Sequence, residues 1–363
     1  MSNYRLQKRK FDDKLKQEWL ELEKYGSLFN SWAWCYYWWD TWAETNNLSL
    51  RLYSVHARNG KIIGLFPFYI QRDKKNQLQL IGNIYPSGIT ILSEYSDIVF
   101  DPNFEKEVRD ALADYLKNSD WEKVIIPFHS KTSFLAKLCR GLYPYRFITE
   151  LAGYRVNTTN DFSQYLAKLG KNTRLKLFNR RKYLSEKSEV KITIAENIRA
   201  IEQQLNTLNE LHAHRWGHDC FDAHSLKFHT ALAEYYLKNN NLALSTININ
   251  DRPSSVVYDL RFNSTEYNIQ SGYLEKHDPK ISLGTLHLGY AIEAAFSIPN
   301  KYFDLLMGEG KNSNYKESFR GLKVDFETTI IFKHPIYKIK DFINRIISKL
   351  SRYLVKLAAT VKR

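Results

Sequence analysis

Five of the ten histidines in this 363-residue chain fall between Leu208 and His229, together with one cysteine. Clustered imidazole and thiol groups either bind a metal ion or act as bases, and their spacing distinguishes the two. On a helix, His212 and His214 point about 160° apart and cannot bind one ion. Gly217 is expected to end that helix before His218. The spacing therefore predicts no metal site, and we expect no metal cofactor.

His212 lies on the apolar side of the same predicted helix. At about 100° per residue it shares a stripe with Leu205, Leu208 and Trp216, and Arg215 lies beside it. One interpretation is a hydrogen-bonded core histidine. The other is a residue of a substrate cleft, where imidazole can accept a proton at neutral pH. In that case Arg215 and Trp216 would contact the substrate.

A second candidate site lies at a predicted helix start. The run ISLGTLHLGYAIEAAF predicts a strand end followed by a helix. Free backbone N–H groups and the helix dipole at such a start favour a pyrophosphate, and glycine lets a ligand approach the backbone. Ser282, Leu283, Gly284 and Thr285 are therefore candidate cofactor-binding residues. The alternative is an ordinary helix start, because serine, threonine and glycine are common N-caps.

A third set of candidates follows the apolar strand KYFDLLMG. Asp304 and Glu309 are candidate bases, Tyr315 is a candidate acid, and Lys316 could stabilise a phosphate or an oxyanion. The alternative is a solvated loop that takes no part in chemistry. Neither interpretation is decided by these residues alone.

These candidates have to be positioned by a framework of strands and helices. Three strand-like runs, a helix and a further strand occur twice in the same order, about 190 residues apart, which predicts a duplicated α/β fold. The first set is LRLYSVHA, IIGLFPFYI, QLQLIGN, FEKEVRDALADYLKN and WEKVIIPF. The second set is LALSTINI, SSVVYDLRF, EYNIQSGYL, TLHLGYAIEAAF and KYFDLLMG. Between the two sets we predict helices and the short strand EVKITIAE; a longer helix ends at Gly217, and a turn and another helix follow it.

The N-terminal segment is predicted to be helical to about Glu44. A stripe through Trp32, Tyr36 and Trp39 indicates a face that packs against the core. Trp34 and Trp38 do not fit on that stripe. We therefore expect them to line a substrate cleft.

The formal charge of +14 is concentrated in residues 1–16, 160–191 and 331–363. In the middle segment, Arg174 and Arg181 share a helix face and either are solvated or guide an anionic substrate. Residues 339–363 predict an amphipathic helix with a basic flank. That helix either docks on the protein body or lies on an anionic membrane surface.

Cysteine content and apolar runs indicate in which cellular compartment the protein is expected. Three distant cysteines argue against a disulfide framework and favour a reducing compartment. The first residues lack the apolar run of a signal peptide, and the longest apolar run, IIGLFPFYI, is far shorter than the roughly 20 residues of a membrane-spanning helix. We expect a cytoplasmic protein, peripheral on the inner face of the cytoplasmic membrane if the basic helix binds lipid.

The order of these elements resembles a known family. Phe29, Ser31 and Trp34, the GKIIGLFPFYI hairpin, NTRLKLFNRRKYLSE, LHAHRW, LGTLHLGYAIEAAF and FDLLMG…YK follow the pattern of the CelD/BcsL acyltransferases. That family is related to GNAT N-acetyltransferases and to Fem-type peptidyltransferases. The resemblance spans roughly residues 25–335 and rests on the order of its segments rather than on any single motif.

The resemblance implies tandem GNAT-like α/β domains with mixed, mostly antiparallel sheets flanked by helices. We predict an N-terminal domain at 1–155, a C-terminal domain with a helical insertion at 156–335, and a basic amphipathic helix at 336–363. Acetyl-CoA or another acyl-CoA would bind the second domain at its small-residue helix start. The acceptor would be a small molecule or a lipid-linked glycan of a cell-envelope or polysaccharide precursor.

The family pattern L-H-x-x-R-W falls on Leu211, His212, Arg215 and Trp216, and its D-x-x-x-G…Y-K pattern falls on Asp304, Gly308, Tyr315 and Lys316. Two other functions remain open. One is a Fem-like transferase that takes aminoacyl-tRNA, the only case in which we expect a nucleic-acid partner. The other is a non-catalytic scaffold at the membrane surface. Binding of CoA distinguishes the first function from both alternatives.

Overall fold

The computed structural model describes residues 3–71, 77–85, 93–308 and 315–361; beyond residue 347, side chains are described only at Leu350. The first half contains β1 (Tyr4–Lys8), α1 (Asp13–Leu22), α2 (Trp32–Trp42), β2 (Leu48–Ala57), β3 (Ile62–Gln71), β4 (Gln77–Leu80), β5 (Val99–Phe100), α3 (Glu105–Asn118), β6 (Lys123–Ser130), α4 (Phe134–Leu142) and β7 (Tyr145–Asn157).

The second half begins with three short helices, α5 (Phe162–Lys168), α6 (Lys171–Arg174) and α7 (Arg180–Lys187), with a π-helical turn at Leu175–Asn179 between the last two. It continues with β8 (Val190–Ile194), α8 (Ile198–Trp216), α9 (Ala223–Lys238), β9 (Leu242–Ile249), β10 (Arg252–Phe262), β11 (Thr265–Tyr273), α10 (Leu283–Phe296), β12 (Tyr302–Gly308), β13 (Leu322–Phe332) and α11 (Pro335–Val361).

Local sequence explains most of these boundaries. The Asn197 side chain accepts a hydrogen bond from the Ala200 backbone N–H and caps α8 at its start. Gly217 ends the same helix with a left-handed φ of 78°, as predicted. Asn250 and Asp251 both have positive φ, which suits the tight turn between β9 and β10.

All the strands that the structure describes belong to one sheet, in the order β1-β2-β3-β4-β6-β13-β7-β12-β11-β10-β9-β8, with β5 beside β3. Two pairs are parallel, β4 with β6 and β11 with β12, and the other pairs are antiparallel. The predicted fold class, a mixed and mostly antiparallel α/β fold with repeated halves, is therefore confirmed. The halves share a single sheet because β13 lies between β6 and β7.

The predicted boundary between residues 155 and 156 falls inside β7, and it stays a prediction. Strand β7 pairs with β12 on one side and with β13 on the other. A strand that follows the first repeat in the chain therefore completes the sheet of the second repeat. Strand β13, which ends the second repeat, pairs with β6 of the first.

The N-terminal segment differs from the prediction of a single helical stretch. Its first ordered element is β1, which pairs with β2, and α1 and α2 are separate helices. Trp34 and Trp38 are 1% and 0% exposed, which contradicts the prediction that they line a cleft. Both project from α2 into a core that also holds Phe228 and Tyr69. Helix α2 has no solvent-facing cleft on that side because α9 covers it.

Candidate functional site

A cavity of about 600 Å³ opens where β11 and β12 separate. The two strands pair in parallel only as far as Tyr267 and Asp304. Beyond that point β11 remains paired with β10, and β12 remains paired with β7. The cavity is lined by His212, Arg215, Trp216, Gln270, Ser271, Tyr273, Gly284, Thr285, Leu288, Met307, Gly308, Tyr315 and Lys316. Three stretches that were predicted separately therefore meet at one place.

The start of α10 forms one wall of the cavity. Gly284 and Thr285 line it, whereas Leu283 is buried in a core on the other side of the helix. The Ser282 hydroxyl lies 3.0 Å from that of Thr285. The first helical N–H groups have no carbonyl partner within the helix, so this wall can bind an anion. The wall uses Gly284 and Thr285 of the predicted set, and Leu283 has a packing role.

The end of α8 forms the opposite wall and presents His212. Its Nδ1 lies 2.8 Å from the backbone carbonyl oxygen of His218. Because a carbonyl can only accept, Nδ1 must carry the hydrogen and the lone pair of a neutral ring is on Nε2. The histidine therefore lies in a cavity wall in the tautomer that leaves Nε2 able to take a proton.

Arg215 and Trp216 extend this wall as a stack of flat groups. The Arg215 guanidinium lies 4.6 Å from the Trp216 ring and 4.7 Å from the Tyr273 ring, and its Nε donates to Glu275 at 2.7 Å. Trp216 is 50% exposed. A guanidinium held between two rings is fixed in place while its remaining N–H groups stay free to bind an anion or a polar substrate.

Tyr315 and Lys316 follow β12 and have different environments. Tyr315 is 40% exposed in the cavity wall, and burial raises the pKa of its hydroxyl, so the phenol stays protonated at neutral pH. Lys316 is buried, and its Nζ donates to the carbonyl oxygens of Leu305, Leu306 and Met307. An ammonium has three N–H donors. These three donors hold the end of β12, and binding of a phosphate or an oxyanion by Lys316 stays a prediction.

Asp304 also supports β12 and does not line the cavity. It is 1% exposed, and it accepts hydrogen bonds from the Tyr95 hydroxyl and from the Leu306 backbone N–H. Leu306 has a φ of 59° at an irregularity in the pairing with β7. Such bulges redirect a strand beside active sites. The predicted base Asp304 is thus a buried acceptor that fixes the bulge.

Glu94 is the residue that the sequence did not indicate. It comes from the first half, and its carboxylate accepts the backbone N–H of Met307 at 2.8 Å. Burial raises the pKa of Glu94 to about 8, although the Lys316 ammonium opposes that shift. Burial lowers the pKa of Lys316 and raises that of Asp304. A buried polar cluster from both halves therefore lies directly behind the cavity floor.

Gln270, Ser271 and Tyr273 were also missed, although a signal was present. They occupy the end of a predicted strand that runs parallel to β12, and ligands of α/β sheets bind beyond the carboxyl ends of such strands. Tyr273 packs closely on the start of α10: a Cβ built on Gly284 would come within 2.3 Å of the Tyr273 ring.

Two other predicted residues, Arg181 and Arg174, do not line the cavity. Arg181, on α7, forms an ion pair with Glu293 and lies 3.6 Å from the Tyr290 ring, so it joins α7 to α10. Arg174 donates to the Leu166 carbonyl oxygen at 3.5 Å. Glu309 lies outside the described residues.

The first half has a corresponding parallel pair, β4 and β6, but the chemistry at its helix start differs. Its helix, α3, begins with Glu105 and Glu107, whose carboxylates disfavour an anion at the helix start. Phe128 has a φ of 45° and repeats the bulge of Leu306. The ring of Tyr85 packs on Phe128. Of these two helix starts, that of α10 suits an anion and that of α3 does not.

Neither a metal-binding group of side chains nor a membrane-spanning helix is found in the described part of the chain. No group of three or more histidine, cysteine, aspartate or glutamate side chains there is arranged to hold a metal ion. No helix among those same residues combines the length and the hydropathy needed to cross a membrane.

Comparison with known proteins agrees with this geometry. Residues 171–317 match the family described as Acetyltransferase (GNAT) domain. This part of the chain is therefore similar to GNAT-type acetyltransferase domains. The match contains the cavity walls formed by α8, β11 and α10, together with the end of β12 and Lys316. No curated protein sequence matches the chain.

Solved structures with the same fold cover almost the whole chain and therefore extend beyond residues 171–317. A structure of FemX has a TM-score of 0.63 at 10% identity and covers 92% of this chain and 99% of its own. L-PGS from Bacillus licheniformis has a TM-score of 0.53 at 10% identity, with coverages of 93% and 97%. The C-terminal domain of a candidate lysylphosphatidylglycerol synthetase from Agrobacterium fabrum has a TM-score of 0.53 at 8% identity, with coverages of 87% and 92%. At these identities the likeness concerns the fold.

Proposed function

We propose that the protein is an acyl-CoA-dependent N- or O-acyltransferase whose donor binds in the cavity between β11 and β12. The observation that carries this proposal is the convergence of a free helix start, an available imidazole nitrogen and a phenol on one cavity in the GNAT-type domain. Pyrophosphate needs the first of these groups, and acyl transfer needs a base and an acid.

The walls suit the two ends of an acyl-CoA molecule. The pyrophosphate would bind the backbone N–H groups at Gly284 and Thr285, where α10 has no acidic residue in its first turn. The thioester would lie toward Met307 and Gly308, at the bulged end of β12. A volume of about 600 Å³ is in the range of small-molecule sites.

The transfer itself needs one proton removed and one supplied. The acceptor nitrogen or oxygen attacks the thioester carbonyl carbon and gives its proton to Nε2 of His212, directly or through water. A new C–N or C–O bond forms as the C–S bond breaks. The departing sulfur takes a proton from the hydroxyl of Tyr315. Lys316, Asp304 and Glu94 keep the bulge in position during this exchange.

We further propose, from the CelD/BcsL resemblance, that the acceptor is an amino or hydroxyl group of a cell-envelope or polysaccharide precursor in the cytoplasm. Arg215 and the exposed ring of Trp216 form the rim of the cavity and would contact that acceptor. A flat aromatic ring beside a guanidinium suits a sugar face next to a phosphate or carboxylate.

The test measures release of CoA thiol from acetyl-CoA and from a longer acyl-CoA in the presence of amino-sugar acceptors. We expect acceptor-dependent release, and a loss of about 100-fold or more in kcat for His212→Gln. Glutamine can still donate to the His218 carbonyl but cannot take up a proton. His214→Gln, on the exposed side of the same helix, should retain full activity.

The same assay with aminoacyl-tRNA as donor tests the Fem-like alternative. Transfer from aminoacyl-tRNA without any use of acyl-CoA would replace the proposal by that alternative. Absence of activity with both donors, together with absence of CoA binding, would favour the non-catalytic scaffold.

A further inference from the structure

The last helix, α11, exposes a continuous apolar stripe. Over its described side chains, seven large apolar residues are between 42% and 63% exposed: Ile336, Ile339, Phe342, Ile343, Ile346, Ile347 and Leu350. Their spacing places them on one side of the helix, within an arc of roughly 140°. A surface helix of a globular protein normally turns such a stripe toward the core.

The side of α11 that contacts the protein body is the opposite one. The Asp341 carboxylate accepts a hydrogen bond from Nε of Arg146 on β7 at 2.9 Å, with both side chains largely buried. Tyr337 packs against the cluster formed by Ile125, Ile330 and Phe332. Tyr337 and Asp341 lie roughly half a turn away from the centre of the apolar stripe. The helix is therefore held by its polar side with its apolar side turned outward.

Charge on α11 indicates what the stripe faces. Between 335 and 361 the chain has six lysines and arginines and a single acidic residue, Asp341, which is used in the contact with Arg146. Lys338 and Lys340 flank opposite edges of the apolar stripe and are exposed. Basic residues at both edges of an exposed apolar stripe complement a surface that is apolar inside and anionic at its rim.

We propose that α11 lies in the interface of an anionic lipid membrane and attaches the protein to it. The apolar stripe would enter the boundary between headgroups and acyl chains, and the flanking lysines would contact anionic headgroups. The Arg146–Asp341 contact would keep the rest of the protein on the water side. This attachment does not depend on the proposed acyl transfer.

The test is flotation of the full chain with vesicles of phosphatidylcholine, with and without phosphatidylglycerol. We expect the protein to float with the anionic vesicles and to remain largely unbound with the neutral ones. The variant Ile339→Gln/Ile343→Gln should lose binding by about tenfold or more, because two large apolar groups leave the stripe while helix propensity is kept.

Matched controls separate this effect from a general loss of surface hydrophobicity. Leu142 and Ile194 are 50% and 61% exposed elsewhere on the molecule, similar to Ile339 and Ile343 at 55% and 49%. Leu142→Gln/Ile194→Gln should float like the wild type. Lys338→Gln/Lys340→Gln should weaken binding to anionic vesicles specifically. Unchanged thermal unfolding of each variant shows that the fold is retained.

Three outcomes would overturn the proposal. One is absence of flotation with anionic vesicles, and another is equal flotation of the wild type and Ile339→Gln/Ile343→Gln. The third is a dimer, seen by sedimentation velocity, that dissociates in the Ile339→Gln/Ile343→Gln variant without any vesicle binding, which would assign the stripe to a second copy of the chain. Retained acyl-CoA binding in the variants keeps this result separate from that of the proposed function.

Discussion

Lys316 illustrates how a charged residue can support the backbone of a site. Its ammonium is surrounded by three backbone carbonyl oxygens and lies near the carboxylates of Glu94 and Asp304. That one group therefore holds three consecutive residues of β12 through their carbonyl oxygens. The adjacent N–H groups of Leu306 and Met307 are directed by the two carboxylates. The cavity floor is thus supported by a buried ammonium and two buried carboxyl groups.

Removing that ammonium should destabilise the fold strongly. We expect Lys316→Met to lower the free energy of unfolding by about 3–5 kcal/mol, because two carboxyl groups are left buried without it. Glu94→Gln keeps an acceptor for the Met307 N–H and removes the charge. The double variant Lys316→Met/Glu94→Gln should therefore lose less free energy of unfolding than the two single variants lose together. Urea unfolding in a double-mutant cycle measures this difference. Simple additivity would show that Glu94 and Lys316 do not interact.

His229 predicts a pH dependence of stability. It is 1% exposed in the core, its Nδ1 has no hydrogen-bond partner, and burial lowers its pKa from 6.5 to about 3. Because the folded-state pKa is the lower one, the stabilisation is present above pH 6.5 and is lost as the pH falls toward 3. At pH 5 the loss amounts to about 2 kcal/mol.

We therefore expect His229→Leu to reduce the loss of stability between pH 7.5 and pH 5 by about that amount, measured by urea unfolding at both values. His287, whose pKa burial also lowers to about 3, remains in the variant and keeps part of the dependence. His214→Leu, at an exposed position of α8, is the control. An identical pH dependence of His229→Leu and wild type would contradict the assignment.

At the scale of elements, the position of α10 is set by contact with the π-helical turn at Leu175–Asn179. A Cβ built on Gly289 would come within 2.1 Å of the Leu177 carbonyl oxygen, so only glycine lets the two backbones approach this closely. Arg181 adds its ion pair with Glu293 on the same side. Helix α10 can therefore present its start to the cavity only while this contact is intact.

Gly289→Ala should lower the free energy of unfolding by about 3 kcal/mol, since backbone atoms must move apart. The matched control is Gly141→Ala in α4, where no atom lies within 4 Å of the new Cβ. That change should stabilise the protein by about 0.5–1 kcal/mol. Thermal unfolding distinguishes the two. Equal effects of the two substitutions would show that the close approach at Gly289 is unimportant.

The elements that bear the site could be predicted from the sequence, and the strands that join the halves could not. The runs for β9 to β12, α8 and α10 have clear periodicity and turn residues, and their bounds agree with prediction. Strand β7 lacks regular alternation of buried and exposed positions, because each of its faces is only partly covered. Neither β7 nor β13 was predicted, and their pairing with distant strands depends on tertiary structure alone.

The same limit explains the candidate site. His212, Arg215, Trp216, Gly284, Thr285 and Tyr315 meet as their local patterns suggested. Glu94 could not be predicted, since its partner Met307 lies more than half the chain away and neither residue belongs to a local pattern. The buried state of Trp34 and Trp38 was misjudged because their partners are distant in sequence: Phe228 of α9 packs on Trp34, and Tyr69 of β3 packs on Trp38.

At the scale of the whole molecule, two similar halves differ in a way that has a measurable result. Both have a parallel strand pair with a helix between the two strands in the chain, and a residue with positive φ in the second strand, at Phe128 and Leu306. Helix α3 begins with glutamates, whereas α10 begins without any acidic residue. Only the second half should therefore bind a pyrophosphate, and the first half contributes Glu94 to its support.

The most direct measurement of this account is a calorimetric titration of the full chain with acetyl-CoA and a longer acyl-CoA. We expect one binding site per chain. We also expect the affinity for acyl-CoA to be about tenfold or more weaker in Thr285→Glu, because the new carboxylate would oppose the pyrophosphate at the start of α10. Thr285→Gln, which is similar in size without the charge, should bind nearly as the wild type does. Two sites per chain, undiminished binding by Thr285→Glu, or no binding to the wild type at millimolar ligand would contradict it.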